Sequence, residues 1–314
     1  MVRVPHSDQH TISYTTTVGP IEDKLADKLR KNLEIASQEA LDAAQDSSTN
    51  SSKSLADFLF QKESPLFSGL SENETPLATS LARSLEVPFG ATLEHVSLRW
   101  HGYEDKFAGT DAMPEGGYET VIKALAEASV GIGARLELNA PVSSVTQISG
   151  SGNIEVKTTS GTTYKASTVI CTIPLAVLQS SPSSFFSPPL PPRKASAIKR
   201  VHVGTLAKIL LTYPTAWWGP AYGGIALLPT NHSPDLASND PKSLLSSIPL
   251  NCAALGSSLL IYVSCAVAPV IEKLDKKTVG QAAHEILKEK LGQGANVPEP
   301  LHSTVTRYFY SLFR

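Results

Sequence analysis

Apolar residues recur along the chain with two different periods, and the change between them organises it. After Gly19-Pro20, the residues Ile21, Leu25, Leu29, Leu33, Ala36 and Ala40 share one face at helical spacing. A polar Ser/Thr/Asn cluster at 47–53 reads as a loop. Ser54-Leu-Ala-Asp57 has the form of a capping box for a second helix through Phe60. Thr75-Pro76 predicts the N-cap and first turn of a third helix, through Leu85. Gly116-Gly117-Tyr118 then opens a helix with Val121, Ile122, Leu125 and Ala126 on its apolar side.

Beyond that helix the period shortens. Arg135-Leu-Glu-Leu, Val142 to Ile148, Ile154 to Thr158 and Thr163-Tyr-Lys predict strands, with hairpin connections at 149–153 and Ser160-Gly161. Thr168-Val-Ile-Cys-Thr-Ile173 is apolar at most positions, as a strand buried on both faces would be, and stops at Pro174. A Pro-rich segment, 187–193, leads through a short helical stretch to Gly204-Thr-Leu-Ala-Lys-Ile-Leu-Leu-Thr-Tyr213. Residues 214–257 read as loops and short elements, Leu259 to Val267 as a buried strand, and Val279 to Leu291 as a helix.

The charge in the 204–213 run is the position that chemistry must explain. On a strand, Lys208 shares a face with Leu206 and Leu210, and no carboxylate lies near it in sequence. A buried ammonium needs a partner or a lowered pKa. The same pattern also allows a lysine whose stem covers the strand while its head stays in solvent. His101, beside Trp100 and Tyr103, has no second candidate ligand near it and reads as a structural or surface histidine, and Trp217-Trp218 reads as packing.

Composition narrows the classes without choosing one. The chain has 314 residues, 41% hydrophobic and 18% charged, with a formal net charge of −2. That balance gives no electrostatic reason to expect nucleic acid. Cys171, Cys252 and Cys265 form no C-x-x-C, and two of them fall in strand-like apolar runs, which predicts buried thiols in place of a disulfide framework or zinc site. The N-terminus lacks the apolar core of a signal peptide and no run is long enough to span a bilayer, so a cytoplasmic or other soluble intracellular location is the expectation. Sequons at Asn50, Asn73 and Asn231 are then chance matches.

The order of several short motifs adds what the pattern alone does not. These are Met113-Pro-Glu-Gly-Gly-Tyr-Glu-Thr-Val-Ile122, Leu138-Asn-Ala-Pro-Val142 and Thr168-Val-Ile-Cys-Thr-Ile-Pro-Leu-Ala-Val-Leu178. They continue with Phe186-Ser-Pro-Pro-Leu-Pro191, Gly204 to Leu211, Val297-Pro-Glu-Pro300 and Thr304-Val-Thr-Arg307. In this order, from about Ser97 to Arg307, the chain resembles the flavin-containing amine oxidases, the family of monoamine oxidases, polyamine oxidases and lysine-specific histone demethylases.

The resemblance implies an α/β (α+β) fold: a mixed-sheet substrate domain with a helical subdomain, plus an incomplete, Rossmann-like FAD-binding domain. Residues 1–90 would form the helical part, and 91–314 the mixed sheet interleaved with FAD-domain remnants at about 113–180 and 292–314. It implies FAD as cofactor, with Val142 meeting the adenine end and Thr172 and Pro174 ending the strand that passes the ADP moiety. Lys208 would be the catalytic residue that holds a water against the reactive edge of the flavin. The implied reaction is hydride transfer from an amine or polyamine to FAD.

A dinucleotide fold needs a Gly-x-Gly-x-x-Gly turn between strand and helix. This sequence has none: Gly131-Ile-Gly133 precedes a strand, and Gly292-Gln-Gly294 lies in a polar loop. The expectation is therefore a truncated relative that binds FAD weakly or not at all by itself. The alternative is a catalytically inactive amine-oxidase-like binding or interaction protein. A third reading takes Pro189-Leu-Pro-Pro192-Arg-Lys194 as a polyproline ligand of the SH3 type, against the plainer account of a turn before a helix.

Overall fold

The computed structural model describes residues 2–3, 12–16, 19–46, 48, 52–103, 112–114, 116–218, 224–292 and 296–307. Asn50, Glu115 and the aromatic tail 308–314 lie outside the described residues. Strands β1 (Val2–Arg3), β2 (Ile12–Thr16) and β3 (Gly19–Pro20) precede helices α1 (Asp23–Gln45), α2 (Leu55–Leu59), α3 (Thr75–Arg83) and α4 (Glu86–Phe89). Next come β4 (Ala112–Met113), α5 (Tyr118–Gly131), β5 (Val142–Gln147), β6 (Ile154–Thr158), β7 (Thr163–Ala166), α6 (Leu175–Ser180), β8 (Phe186–Ser187) and α7 (Pro192–Arg200). The last third holds β9 (Ala207–Thr212), β10 (Gly224–Leu227), α8 (Pro241–Ser246), β11 (Leu250–Leu255), β12 (Ser258–Val263), α9 (Ala268–Ile271), α10 (Lys276–Leu291) and β13 (His302–Val305). The fold is mixed α/β, in two compact units: residues 1–6 with 109–203, and residues 7–108 with 204–314.

The larger unit, 7–108 with 204–314, is built on a seven-stranded sheet in the order β13-β9-β12-β11-β10-β2-β3. Neighbours are antiparallel except β10 and β2, which run parallel. Period-2 alternation gives the sheet an apolar face: Ala207, Ile209, Leu211, Leu259, Ile261 and Val263 are buried with Val279, Ala283, Ile286 and Leu287 of α10. A second core gathers Leu29, Ala36 and Ala40 of α1 with Leu55, Leu59, Ala78 and Leu81, and includes Ala226 and Leu228. Asn32 is tolerated there because its side-chain amide donates to the carbonyls of Leu66 and Ser68, at 3.2 and 3.0 Å.

Several boundaries follow the sequence reading. The capping box of α2 forms, with Ser54 Oγ accepting from the Asp57 amide at 3.0 Å and Asp57 Oδ2 accepting from the Ser54 amide at 2.9 Å. Helix α3 begins one residue earlier than its cap signal suggested, with Glu74 at the N-cap and Thr75 and Pro76 already helical. The strand expected over Leu259 to Val267 starts at Ser258 and leaves the sheet after Val263. Residues 214–257 hold loops and short elements, as read, the elements being β10, α8 and β11. The first quarter is not all helix: β2 pairs with β10 and carries β3 beside it.

The smaller unit, 1–6 with 109–203, has a four-stranded sheet in the order β7-β6-β5-β8 and a two-stranded one, β1-β4. The β5-β6 and β6-β7 hairpins form where their turns predicted them. Helix α5 also forms, yet none of its residues is buried. Two expected strands do not form: 135–138 and 168–173 are irregular, and Ile170 is 85% exposed. A strand needs a neighbour for its backbone donors and acceptors, and no described strand pairs with either run.

Candidate active site

Lys208 sits near the start of β9, where burial alternates strictly: Ala207, Ile209 and Leu211 are buried, while Lys208, Leu210 and Thr212 are half-buried on the other face. The lysine is thus neither sealed in the core nor free in solvent. Across the sheet it stands opposite Tyr262 of β12, and its Nζ lies 5.9 Å from the centroid of that ring. A cation over an aromatic face is attracted by the ring quadrupole without losing its charge to a counter-ion. Leu260 and Ser258 continue this half-buried face on β12, opposite Leu210 and Thr212. At its far end Thr212 Oγ1 and Ser258 Oγ lie 2.9 Å apart.

The backbone of Lys208 is tied on its other side by the segment after β13. Its N–H donates to Thr306 Oγ1 at 2.8 Å, and its carbonyl accepts from the Thr306 N–H at 3.0 Å. The Gly204–Leu211 and Thr304–Arg307 motifs, far apart in sequence, are therefore neighbours through β9 and β13.

The lead-in to β9 meets a charged cluster from the helical part of the same unit. Thr205 N–H donates to the Gly90 carbonyl at 2.9 Å. Arg83 bridges two carboxylates, with Nη1 2.7 Å from Glu86 Oε1 and Nη2 2.7 Å from Glu94 Oε1. The Arg83 hydrogen bond holds the Glu94 carboxyl down at about 2, whereas burial pushes that of Glu86 up despite the same partner. Burial pushes the Cys265 thiol up to about 12, with Glu86 adding to it. The cysteines are free thiols, but only Cys252 is buried; Cys265 is half-buried and Cys171 is exposed, because the 168–173 run expected to bury it forms no strand. Trp217 and Trp218 pack edge-on against Tyr213, and His101 against Phe89.

The other sequence candidates lie in the smaller unit. Val142 opens β5 beside a register shift against β6. It lines an open cleft of about 290 Å³ with Arg135, Glu137, Ala140, Val156, Thr158 and Tyr164. Thr172 is exposed in the unpaired 168–173 run, and Pro174 is the N-cap residue of α6. The structure thus places Val142, Thr172 and Pro174 in one unit and Lys208 in the other. Sequence reasoning missed Tyr262, Glu86 and the role of Thr306 as a backbone tie. Only Tyr262 left a signal, as a polar-tipped residue at the half-buried register of an apolar strand.

The profile described as "Flavin containing amine oxidoreductase" matches residues 8–314. The chain belongs to this family. Among curated proteins it is 30% identical over 252 residues to lysine-specific histone demethylase 1B of Mus musculus, covering 79% of this chain and 29% of the relative. It is 31% identical over 229 residues to lysine-specific histone demethylase 2 of Homo sapiens, covering 72% and 26%. Polyamine oxidase 4 of Oryza sativa subsp. japonica is 29% identical over 226 residues, covering 71% and 42%. The chain therefore spans less than half the length of each of these relatives.

Flavin amine oxidoreductases use FAD, and the described residues of this family member fit it in part. The cleft at Val142 offers aromatic and aliphatic walls that suit a flat base, and Lys208 offers a cation that no described carboxylate neutralises. The pyrophosphate is not fitted: no described strand passes through a Gly-x-Gly-x-x-Gly turn into a helix. Among the described residues no helix is long and apolar enough to cross a membrane.

Proposed function

We propose that this chain carries the substrate-side part of an FAD-dependent amine oxidation of the polyamine-oxidase type, with Lys208 as its catalytic residue. One observation carries the reading: a lysine on the half-buried face of the sheet, held over Tyr262 and clamped at its backbone by Thr306. When bound, FAD supplies the acceptor for hydride leaving the α-carbon of the amine. The role of Lys208 is electrostatic: a fixed cation stabilises developing negative charge, and partial burial strengthens the effect. It also holds a water at Nζ. Val142, Thr172 and Pro174 form the adenosine side of the site. In domain terms, residues 1–90 supply the helical part of the substrate domain and 91–314 the sheet and the FAD-domain remnants.

The test uses the purified full chain with added FAD. Fluorescence titration should show weak FAD binding, and spermine with excess FAD should yield hydrogen peroxide. Lys208→Met should slow flavin reoxidation on the order of a hundredfold, and an unchanged rate would remove Lys208 from the mechanism. A second reading is a non-catalytic amine-oxidase-like scaffold that binds another molecule. Absence of any FAD association would select it.

A further inference from the structure

We propose that Glu86 is a positioning residue for Lys208; its catalytic importance rests on the function proposed above. Glu86 is a carboxylate with a fully buried side chain, a costly placement for a charge unless geometry uses it. It begins α4, a single turn that ends at Gly90 in the left-handed region with φ of 59°. From Gly90 the chain turns back to Leu93, whose N–H donates to Glu86 Oε1 at 3.3 Å. Arg83 Nη1 binds the same oxygen at 2.7 Å, while the other oxygen, Oε2, has no described partner. One carboxylate oxygen therefore fastens both ends of the 86–93 loop to Arg83.

What this closed loop does is set at its tip. A Cβ on Gly204 would lie 3.0 Å from the Gly90 carbonyl oxygen and 3.1 Å from the Gly90 Cα, so the two backbones are in close approach and a side chain there would have to push them apart slightly. The next residue, Thr205, gives its N–H to the same carbonyl at 2.9 Å. Thr205 lies just ahead of Lys208 in the extended lead-in to β9. The loop thus fixes the start of the strand on one side, as Thr306 fixes Lys208 on the other. With Glu86 truncated, the Leu93 N–H loses its acceptor and Arg83 keeps Glu94 as its carboxylate partner and the Phe60 ring, neither of which closes the 86–93 loop, so the Gly90 carbonyl is no longer held at Thr205. Lys208 then samples more positions relative to Tyr262.

The experiment is competitive acylation of the full chain without flavin, followed by mass spectrometry across a pH series. Lys194 and Lys277, both exposed, serve as internal references. Glu86→Ala should change the Lys208 labelling rate, relative to these references, by about threefold or more. Glu86→Gln keeps an oxygen acceptor for Arg83 and Leu93, so it should stay near the wild-type profile. An unchanged Lys208 ratio in Glu86→Ala would overturn the proposal, as would equal effects of Ala and Gln, which would mark a charge effect. Should Glu86→Ala fail to fold, Gly204→Ala is read the same way, because it separates the backbones and leaves the ion pairs in place. Flavin takes no part in this measurement, so its outcome and that of Lys208→Met stand or fall separately.

Discussion

Two basic side chains of the larger unit meet partial burial in different ways. Lys208 has the ring of Tyr262 beside it. His232 has less: its Nδ1 is buried without a hydrogen-bond partner. Burial, reinforced by Arg83 and opposed by Glu94, pushes its pKa down from 6.5 to about 4. The folded protein therefore prefers neutral His232 more than the unfolded chain does. That contribution is fully present above about pH 6.5 and is lost as pH falls from there towards 4, up to a ceiling of about 3 kcal/mol. Glu94, held at about 2, loses its own contribution in a lower window, as pH falls from the ordinary carboxylate range towards that value. Urea unfolding at pH 7 and pH 4.5 separates the two. His232→Gln should lose much less stability than the parent between these pH values; an identical loss would mean that another group is responsible.

Among the elements, β9 was the most legible, because a half-covered strand writes its geometry as alternation. That alternation makes a sharp prediction about adjacent leucines. Leu211 is fully buried, so Leu211→Ala should cost about 2–5 kcal/mol in guanidinium unfolding. Leu210, on the half-buried face, should cost under about 1.5 kcal/mol on the same change. Equal losses would contradict the register of the strand. Helix α10 was legible for a similar reason, since its buried positions keep the helical period. The 168–173 run shows where such reading stops. Its apolar sequence predicted a strand, but strand formation depends on neighbours, which local pattern does not contain. The same limit applied to the site. Lys208 stood out as a charge in an apolar run, whereas Thr306 reaches it only through the β9-β13 register, 98 residues away. Glu86 reaches the start of β9 only through a loop tip and two glycines.

The two units differ in how much apolar surface they put to use, and helices of similar length show it. Helix α10, of 16 residues, buries Val279, Ala282, Ala283, Ile286 and Leu287. Helix α5, of 14 residues, buries none, and its Ile122 and Leu125 are 62% and 60% exposed. Helices of this length are marginal in water by themselves, so most of their stability has to come from packing an apolar face. The i,i+4 ion pair of Glu119 with Lys123 in α5 adds only about 0.3–0.5 kcal/mol. Hydrogen exchange followed by mass spectrometry should therefore find the amides of α5 opening with a free energy near zero. Those of α10 should approach the global value for their unit, a difference of several orders of magnitude in rate. The β5-β6 hairpin should fall between them, because its ladder is continuous from Ser144 to Gln147 while its faces are only half-covered. Equal protection of α5 and α10 would mean that in solution something covers Ile122 and Leu125, and the smaller unit would then have a core that its described residues do not supply.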